Sequence, residues 1–197
     1  MRGVFCYLYL ALDVWSRKIV GFAVHAEESS EHAARLMATA CCIEGVTQDT
    51  LVLHADNGSP MKGATMLAIL QELGVAASFS RPSVSNDNPF SESLFRTAKY
   101  RPEYPTKPFE GLEAADAWAA NFVQWYNAEH LHSEIRFVTP ESRHSGTATK
   151  TLKARAEVYR QARERNPDRW ANGLRNWAPV ATVTLNPKPN KEVKISA

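Results

Sequence analysis

The 197 residues include 44% hydrophobic and 22% charged side chains, enough apolar sequence to bury the core of one globular domain with an appendage. The charge is uneven, because residues 1–140 hold 11 Lys/Arg against 16 Asp/Glu whereas residues 141–197 hold 12 against 5. An acidic first part with a basic tail favours nucleic acid as a partner. The opening apolar run, residues 3–12, is too short to span a bilayer, and three cysteines without a C-x-x-C pair indicate reduced thiols in a cytoplasmic protein.

A hairpin followed by alternating helices and strands is predicted for the first part of the chain. Residues 3–12 and Ile19–Val24 are apolar runs joined by a short polar segment, which predicts an antiparallel pair of strands. Ser29 or Ser30 is a suitable N-cap for a helix that ends at Gly45. The elements predicted next are a strand from Leu51 to Asp56, a helix from Met61 to Leu73 and a short strand near Val75–Phe79.

The second part begins with a polar loop, residues 81–88, that contains Pro82 and is predicted to be mobile. Asn88 is a good N-cap and Pro89 suits the first helical position, so a helix starts here. Residues 101–108 hold three prolines and are predicted to be irregular. The elements predicted after them are helices over Leu112–Tyr126 and Thr149–Asn166 and a short strand over Ala181–Leu185.

Two carboxylates are candidates for chemistry. Asp56 follows a short buried strand, whose carboxyl end is where sites are commonly built. Glu92 lies early in the helix that starts at Pro89, and Arg96 and Lys99 follow it on the same face. Carboxylate oxygens suit Mg²⁺, and neighbouring cations suit a phosphodiester backbone. The pattern therefore predicts a metal-assisted site for phosphate chemistry at Asp56 and Glu92.

A purely structural interpretation exists for each motif. Asp56-Asn57-Gly58 alone is a good hairpin-turn signal. Glu92 and Arg96 alone form the usual i, i+4 surface pair, which is worth only about 0.3 to 0.5 kcal/mol. Either motif taken singly favours the structural interpretation, whereas both together at this spacing favour a site.

The two acids and their neighbours resemble a known family. Asp56 and Glu92 are separated by 35 residues. With His54-Ala55-Asp56-Asn57-Gly58-Ser59 and Asn86-Asp87-Asn88-Pro89-Phe90-Ser91-Glu92-Ser93-Leu94-Phe95 they look like the second and third acids of the DDE integrase core of retroviral integrases and insertion-sequence transposases. Lys99 falls where that family carries a lysine. Tyr126 to Ser133, Thr139-Pro140-Glu141 and Asn166 to Trp170 are similar to later parts of the same transposases, so the resemblance covers essentially the whole chain.

The resemblance implies a ribonuclease-H-like α/β core, a mixed sheet flanked by helices, with a basic helical C-terminal extension. It implies strand transfer of DNA with Mg²⁺ or Mn²⁺ held by Asp56 and Glu92. The residues expected to contact DNA are Arg81, Asn86, Arg96 and Lys99. Expected partners are the transposon ends and target DNA, together with a second copy of the chain or a full-length transposase, near the bacterial nucleoid and without a membrane.

The first acid of the family has no counterpart in the chain. It normally lies on the strand before Tyr7-Leu8-Tyr9-Leu10, in a Trp-x-x-Asp-x-Thr setting, and the sequence begins after that point. Asp13 matches the next strand and turn of the family, where the aspartate is not a metal ligand. We therefore expect an N-terminally truncated transposase, inactive alone, with residues 1–140 as a core without its first strand and residues 141–197 as a basic extension of helix plus short strand.

Two alternatives from other classes stay open. A non-catalytic DNA-binding remnant would bind DNA in a salt-dependent way without cutting it. A structural or regulatory subunit would pair with an intact transposase through the exposed strand that ends at Leu12.

Overall fold

The computed structural model describes residues 5–81, 87–170 and 172–185. These ranges contain four strands and seven α-helices, with short 3₁₀ helices at Ser133–Ile135 and Pro167–Trp170. In chain order they are β1 (Tyr7–Leu12), β2 (Ile19–His25), α1 (Ser30–Ile43), β3 (Leu51–Ala55), α2 (Ser59–Lys62), α3 (Ala64–Glu72), β4 (Val75–Phe79), α4 (Pro89–Lys99), α5 (Leu112–Ala128), α6 (Pro140–His144) and α7 (Ala148–Arg165). None of the helices in these ranges has the length and hydropathy of a membrane span.

Strands β1 and β2 form the predicted antiparallel hairpin. Tyr7 lies opposite His25 and Leu12 lies opposite Ile19, with an irregularity after Ala11. The turn is closed by the Arg17 N–H, which donates to the Asp13 carbonyl at 2.7 Å. The hairpin forms because two apolar runs can each place one face on a helix layer.

Strands β3 and β4 are parallel, with Leu51 opposite Val75 and Ala55 opposite Phe79. Their crossover was predicted as one helix, but it consists of α2 and α3, with Gly63 between them in extended conformation. A Cβ added to Gly63 would lie 2.5 Å from the Ser30 Cβ, so the break is where the crossover approaches α1 most closely. A parallel pair brings both carboxyl ends to one edge, where Asp56 and Ser80 follow.

The strands form two separate two-stranded sheets in the described ranges instead of one continuous mixed sheet. Tyr9 and Ala11 from β1 nevertheless pack in the same hydrophobic cluster as Leu51 and Leu53 from β3. The two pairs therefore share a core with α1 and α3 without sharing a backbone ladder.

Helices α4 and α5 cover the β1–β2 hairpin. Leu94 and Ala98 of α4 are buried with Ile19 of β2 and with Phe122 and Tyr126 of α5. These contacts bury one stripe of α4, and they leave the face that carries Glu92 exposed.

The C-terminal part packs on its own small core. Ala148 and Leu152 of α7 are buried with Ile135, Val138 and Trp177. The helix begins and ends one residue earlier than predicted.

Residues 181–185 were predicted as a strand and do not form one. Side chains bind the carbonyl groups at the start of this segment, where a strand would pair with a neighbouring strand. The Arg143 Nη2 donates to the Val180 carbonyl at 3.0 Å, and the Trp15 Nε1 donates to the Ala181 carbonyl at 3.2 Å. The segment therefore lies against the hairpin turn as irregular chain.

Candidate active site

Asp56 and Glu92 line one open cavity with a volume of about 860 Å³. Arg81, Arg96 and Lys99 line it as well. The structure thus brings five of the six sequence-predicted site residues to one cavity. The sixth, Asn86, lies outside the described residues.

Asp56 is held at the carboxyl edge of the β3–β4 pair. The Ser80 N–H donates to the Ala55 carbonyl at 3.0 Å, and the Asn57 Nδ2 donates to the Ser80 carbonyl at 2.7 Å. The Gly58 N–H donates to the Asp56 Oδ1 at 3.2 Å, and α2 begins directly afterwards. The hairpin interpretation of Asp56-Asn57-Gly58 is therefore wrong, because these residues connect a strand to a helix.

Glu92 is placed by the start of α4. The Asn88 side chain accepts a hydrogen bond from the Ser91 N–H, and Pro89 occupies the first helical position, as predicted. Glu92 lies in the first turn, where the helix dipole favours a negative charge. Leu94 and Ala98 are buried on the opposite side, which directs Glu92 into the cavity.

The Glu92–Arg96 surface pair is not formed. In the part of the chain that the structure describes, no ion pair within 4.0 Å includes Glu92, Asp56, Arg96 or Lys99. The Arg96 guanidinium lies 5.8 Å from the Tyr100 ring centroid instead. Two carboxylates and two cations therefore remain free to bind other groups.

Arg81 is fixed at the cavity by Asp87. The Arg81 Nη2 donates to the Asp87 Oδ1 at 2.8 Å, and the Arg81 Nε and backbone N–H donate to the Oδ2 at 2.9 and 2.7 Å. The side-chain and backbone hydrogen bonds from Arg81 lower the pKa of Asp87 to about 2. The Arg81 side chain itself is 71% exposed, so it can contact a ligand while Asp87 holds it.

His54 completes this support. Its Nδ1 lies 3.0 Å from the Ser78 Oγ, and its Nε2 lies 3.0 Å from the Asp87 carbonyl oxygen. His54 therefore connects β3 and β4 to the residue that precedes the cap of α4. The sequence contained a weak signal for this role, because His54 stands two residues before Asp56 on a strand and Asp87 lies near the end of the predicted loop, residues 81–88.

Asp13 lies away from the cavity. Its carboxylate accepts hydrogen bonds from the Trp15 N–H at 3.0 Å and from the Ser16 N–H and Oγ, and it lies 3.3 Å from the His144 Nδ1. These contacts close the hairpin turn and connect it to α6. Across residues 5–81, 87–170 and 172–185, no group of three or more His, Cys, Asp or Glu side chains could hold a metal ion.

Comparison with known proteins decides the family. The integrase core domain model matches residues 1–85, and a second integrase core domain model matches residues 73–140. The chain belongs to the integrase core family. Together the two matches include Asp56, Glu92 and every other residue that lines the cavity.

The curated relatives of this integrase core are transposases. The transposase for insertion sequence element IS904 of Lactococcus lactis subsp. lactis (strain IL1403) is 29% identical over 136 residues, which is 68% of this chain and 53% of that protein. The chain spans about half the length of the curated relatives it matches.

Solved structures show the same ribonuclease-H-like fold. The catalytic core domain of BIV integrase matches with a TM-score of 0.53 and 19% identity, over 73% of this chain and 88% of that chain. A chain in the simian T-cell lymphotropic virus intasome, in complex with PP2A regulatory subunit B56 gamma, matches with a TM-score of 0.54 and 16% identity, over 68% of this chain and 46% of that chain. The predicted fold class is therefore confirmed.

Replacing Asp87 with Asn should remove one component of the pH dependence of stability. The pKa of Asp87 in the folded chain, about 2, lies below its ordinary value of 3.8. The pair with Arg81 therefore stabilises the fold fully above the ordinary pKa and is lost as the pH falls towards 2. Urea unfolding at about pH 6 and about pH 2.5 measures this, and the loss of unfolding free energy on acidification should be smaller in Asp87→Asn.

Glu72→Gln is the matched control, because Glu72 is exposed at the end of α3 and makes no ion pair in the described residues. This variant should keep the wild-type loss. An equal loss in Asp87→Asn and wild type would show that the Arg81–Asp87 pair does not stabilise the fold.

Proposed function

We propose that this chain is the catalytic core of a DNA transposase that transfers DNA strands with the help of a divalent cation. The observation that carries the proposal is the single cavity in which Asp56 and Glu92, both without an ion pair in the described residues, lie beside Arg81, Arg96 and Lys99. Membership of the integrase core family supports it, as do relatives that are named transposase and integrase.

Asp56 and Glu92 would hold Mg²⁺ or Mn²⁺. Their oxygens are the ligands that these hard cations prefer, and Mg²⁺ commonly binds through one or two carboxylates with water and substrate phosphates completing its shell. When bound, the cation polarises a phosphoryl oxygen and activates a water molecule or a 3′-hydroxyl. Arg81, Arg96 and Lys99 would hold the DNA backbone against the two carboxylates, and Asn86 would join them in contacting DNA.

Strand transfer needs a further carboxylate in this proposal. Two carboxylates hold one cation weakly and do not fix a pair of metals on the attacking and leaving oxygens. The β1–β2 and β3–β4 pairs do not share a backbone ladder in the described ranges, and this supports a position for the further carboxylate between them. A strand inserted between β1 and β3 would pair with both, and a carboxylate on it would stand beside the end of β3, next to Asp56.

Metal binding is expected to depend on both acids. Titration of Mn²⁺ into the wild type by calorimetry should show binding, and Glu92→Gln or Asp56→Asn should weaken it at least about tenfold, equivalent to about 1.4 kcal/mol. Glu113→Gln is the matched control, because Glu113 occupies the first turn of α5 as Glu92 does in α4 and does not line the cavity. If Glu92→Gln bound Mn²⁺ as tightly as Glu113→Gln, the proposed metal pair would be wrong.

The catalytic test is a strand-transfer assay with Mg²⁺ on the ends of the element. The chain of 197 residues should not join DNA, whereas a chain extended at its N-terminus by a strand with an aspartate should. Loss of ~5 kcal/mol of transition-state stabilisation would leave about one part in several thousand of the rate. Glu92→Gln in the extended chain should abolish joining.

If the unextended chain joined DNA and Asp13→Asn abolished this joining, Asp13 would be the third ligand. That result would contradict the assignment. The contacts of Asp13 with Trp15, Ser16 and His144 argue against that role.

Non-catalytic DNA binding is the second candidate function. This second function would be supported if every variant bound DNA and the extended chain still did not join DNA strands.

DNA affinity should come from only part of the basic tail. Arg143 and Arg155 donate to backbone carbonyl groups, and Arg160 is paired with Glu157 and Glu164. Lys150 and Lys153 are exposed on α7 without an ion pair in the described residues. We therefore assign the phosphate contacts of the tail to its unpaired cations.

The double variant Lys150→Gln/Lys153→Gln should lower the slope of log K against log salt concentration by about 1 to 2, because each phosphate contact adds roughly 0.9. Arg35→Gln/Lys107→Gln removes the same charge from exposed positions on other elements and should leave the slope unchanged. Equal slopes for the two double variants would place the DNA-binding surface elsewhere.

A further inference from the structure

A second cavity, of about 430 Å³, lies on the other side of α4. Arg17 from the hairpin turn lines it, together with Phe90 and Ser93 of α4 and with Thr182 and Thr184 of the C-terminal segment. No residue lines both this cavity and the Asp56–Glu92 cavity. Helix α4 therefore separates two sites, and nothing in the proposed strand-transfer site uses the second one.

Arg17 is a buried cation without a counter-ion. Arg17 is only 7% exposed, and its guanidinium carbon lies 4.1 Å from the Phe90 ring centroid. Its Nε and Nη1 are buried, and neither has a hydrogen-bond partner within the described part of the chain. No carboxylate in those ranges lies within 4.0 Å of it. A buried charge in this state is costly, and an anion bound beside it would remove the cost.

The charges around Arg17 do not supply that anion. Burial lowers the pKa of Arg17, and the electrostatic effects of Tyr126, Glu134 and Asp13 oppose this lowering. Arg143 is also buried, at 6% exposed, and its Nε has no partner in the described residues. Burial, followed by the charge of Arg17, lowers the pKa of His132 to about 4, so this lining residue is neutral at pH 7. The lining of the cavity therefore has one cation, Arg17, and one carboxylate, Glu134, which makes no ion pair with Arg17 in the described residues.

The backbone holds Arg17 in an unusual conformation. Its φ is +69°, in the left-handed region that favours glycine, and its N–H closes the turn on the Asp13 carbonyl. Strained residues of this kind are most common at functional sites.

We propose that the Arg17 cavity binds a phosphate group. Arg17 lines this cavity, and the planar fork of N–H donors of a guanidinium matches two oxygens of a phosphate. Hydroxyl groups of Ser93, Thr182 and Thr184 line the same space and can donate to the remaining oxygens. The N-terminal turn of α4 also lines the cavity, and its dipole favours an anion there. The group would come from free phosphate or from a DNA strand.

The test is the thermal unfolding of the full chain in phosphate and in chloride at matched ionic strength. At a phosphate concentration about ten times Kd, the midpoint of the wild type should rise by about 3–5 °C more than in chloride. Arg17→Gln should lose this response. Arg35→Gln, which removes an exposed arginine of α1, should keep it.

Ser93→Glu is the second variant, because Arg17→Gln also loses the Phe90 contact and could fail to fold. A glutamate at position 93 places a carboxylate in the cavity, so the midpoint without phosphate should rise and the phosphate response should disappear. A response in wild type that is no larger with phosphate than with chloride would overturn the proposal. So would a full response in Ser93→Glu.

Oligonucleotide competition identifies the source of the phosphate. Displacement of inorganic phosphate by a 5′-phosphorylated single strand, but not by the same strand without the 5′-phosphate, would assign the site to a DNA terminus. Displacement by both strands would assign it to the DNA backbone, and displacement by neither would assign it to free phosphate. These measurements need no divalent cation, so their outcome does not depend on the strand-transfer proposal.

Discussion

The packing of α4 against the hairpin and α5 is the contact on which both cavities depend. Leu94 and Ala98 bury one stripe of the helix, so the remaining surface divides into a face with Glu92 and a face with Phe90 and Ser93. The helix begins at the Asn88 cap, whose side chain accepts a hydrogen bond from the Ser91 N–H. A small rotation of this helix would move the carboxylate of one site and the aromatic ring of the other together.

Most elements could be predicted from sequence because their signals are local, whereas the pairing of Asp56 with Glu92 was predicted from their spacing and from the resemblance to the integrase core. A cap, a proline and a four-residue apolar period specify α4 within a few positions. The break at Gly63 could not be predicted, since it arises from the approach of Ser30, a residue distant in sequence. The same limit applies to residues 181–185, which the sequence pattern predicts as a strand. It also applies to the support of Arg81 by Asp87 and His54, which the sequence indicates only weakly. Each depends on a tertiary contact.

The net charge of the tail is a weak predictor of which residues contact DNA. The tail has a clear excess of cations, but arginine offers five donors and the fold uses many of them internally. Arg155 binds the carbonyl groups of Arg136 and Phe137, two residues with positive φ, and so stabilises an unusual turn. Arg160 is neutralised on its own helix. Net charge therefore indicates the kind of partner, whereas hydrogen bonds decide which cations can reach it.

The proposed third carboxylate and the split between the strand pairs have one physical explanation. Within the described ranges β1 pairs only with β2 and β3 only with β4, so backbone groups on their other edges need partners, and β1 and β3 already share a hydrophobic core. A strand placed between them would satisfy both edges at once. Because β3 ends directly before Asp56, a carboxylate at the matching end of that strand would lie on the side of the sheet where Asp56 lies. One such strand would therefore supply both the proposed third carboxylate and a backbone partner for the two strand pairs.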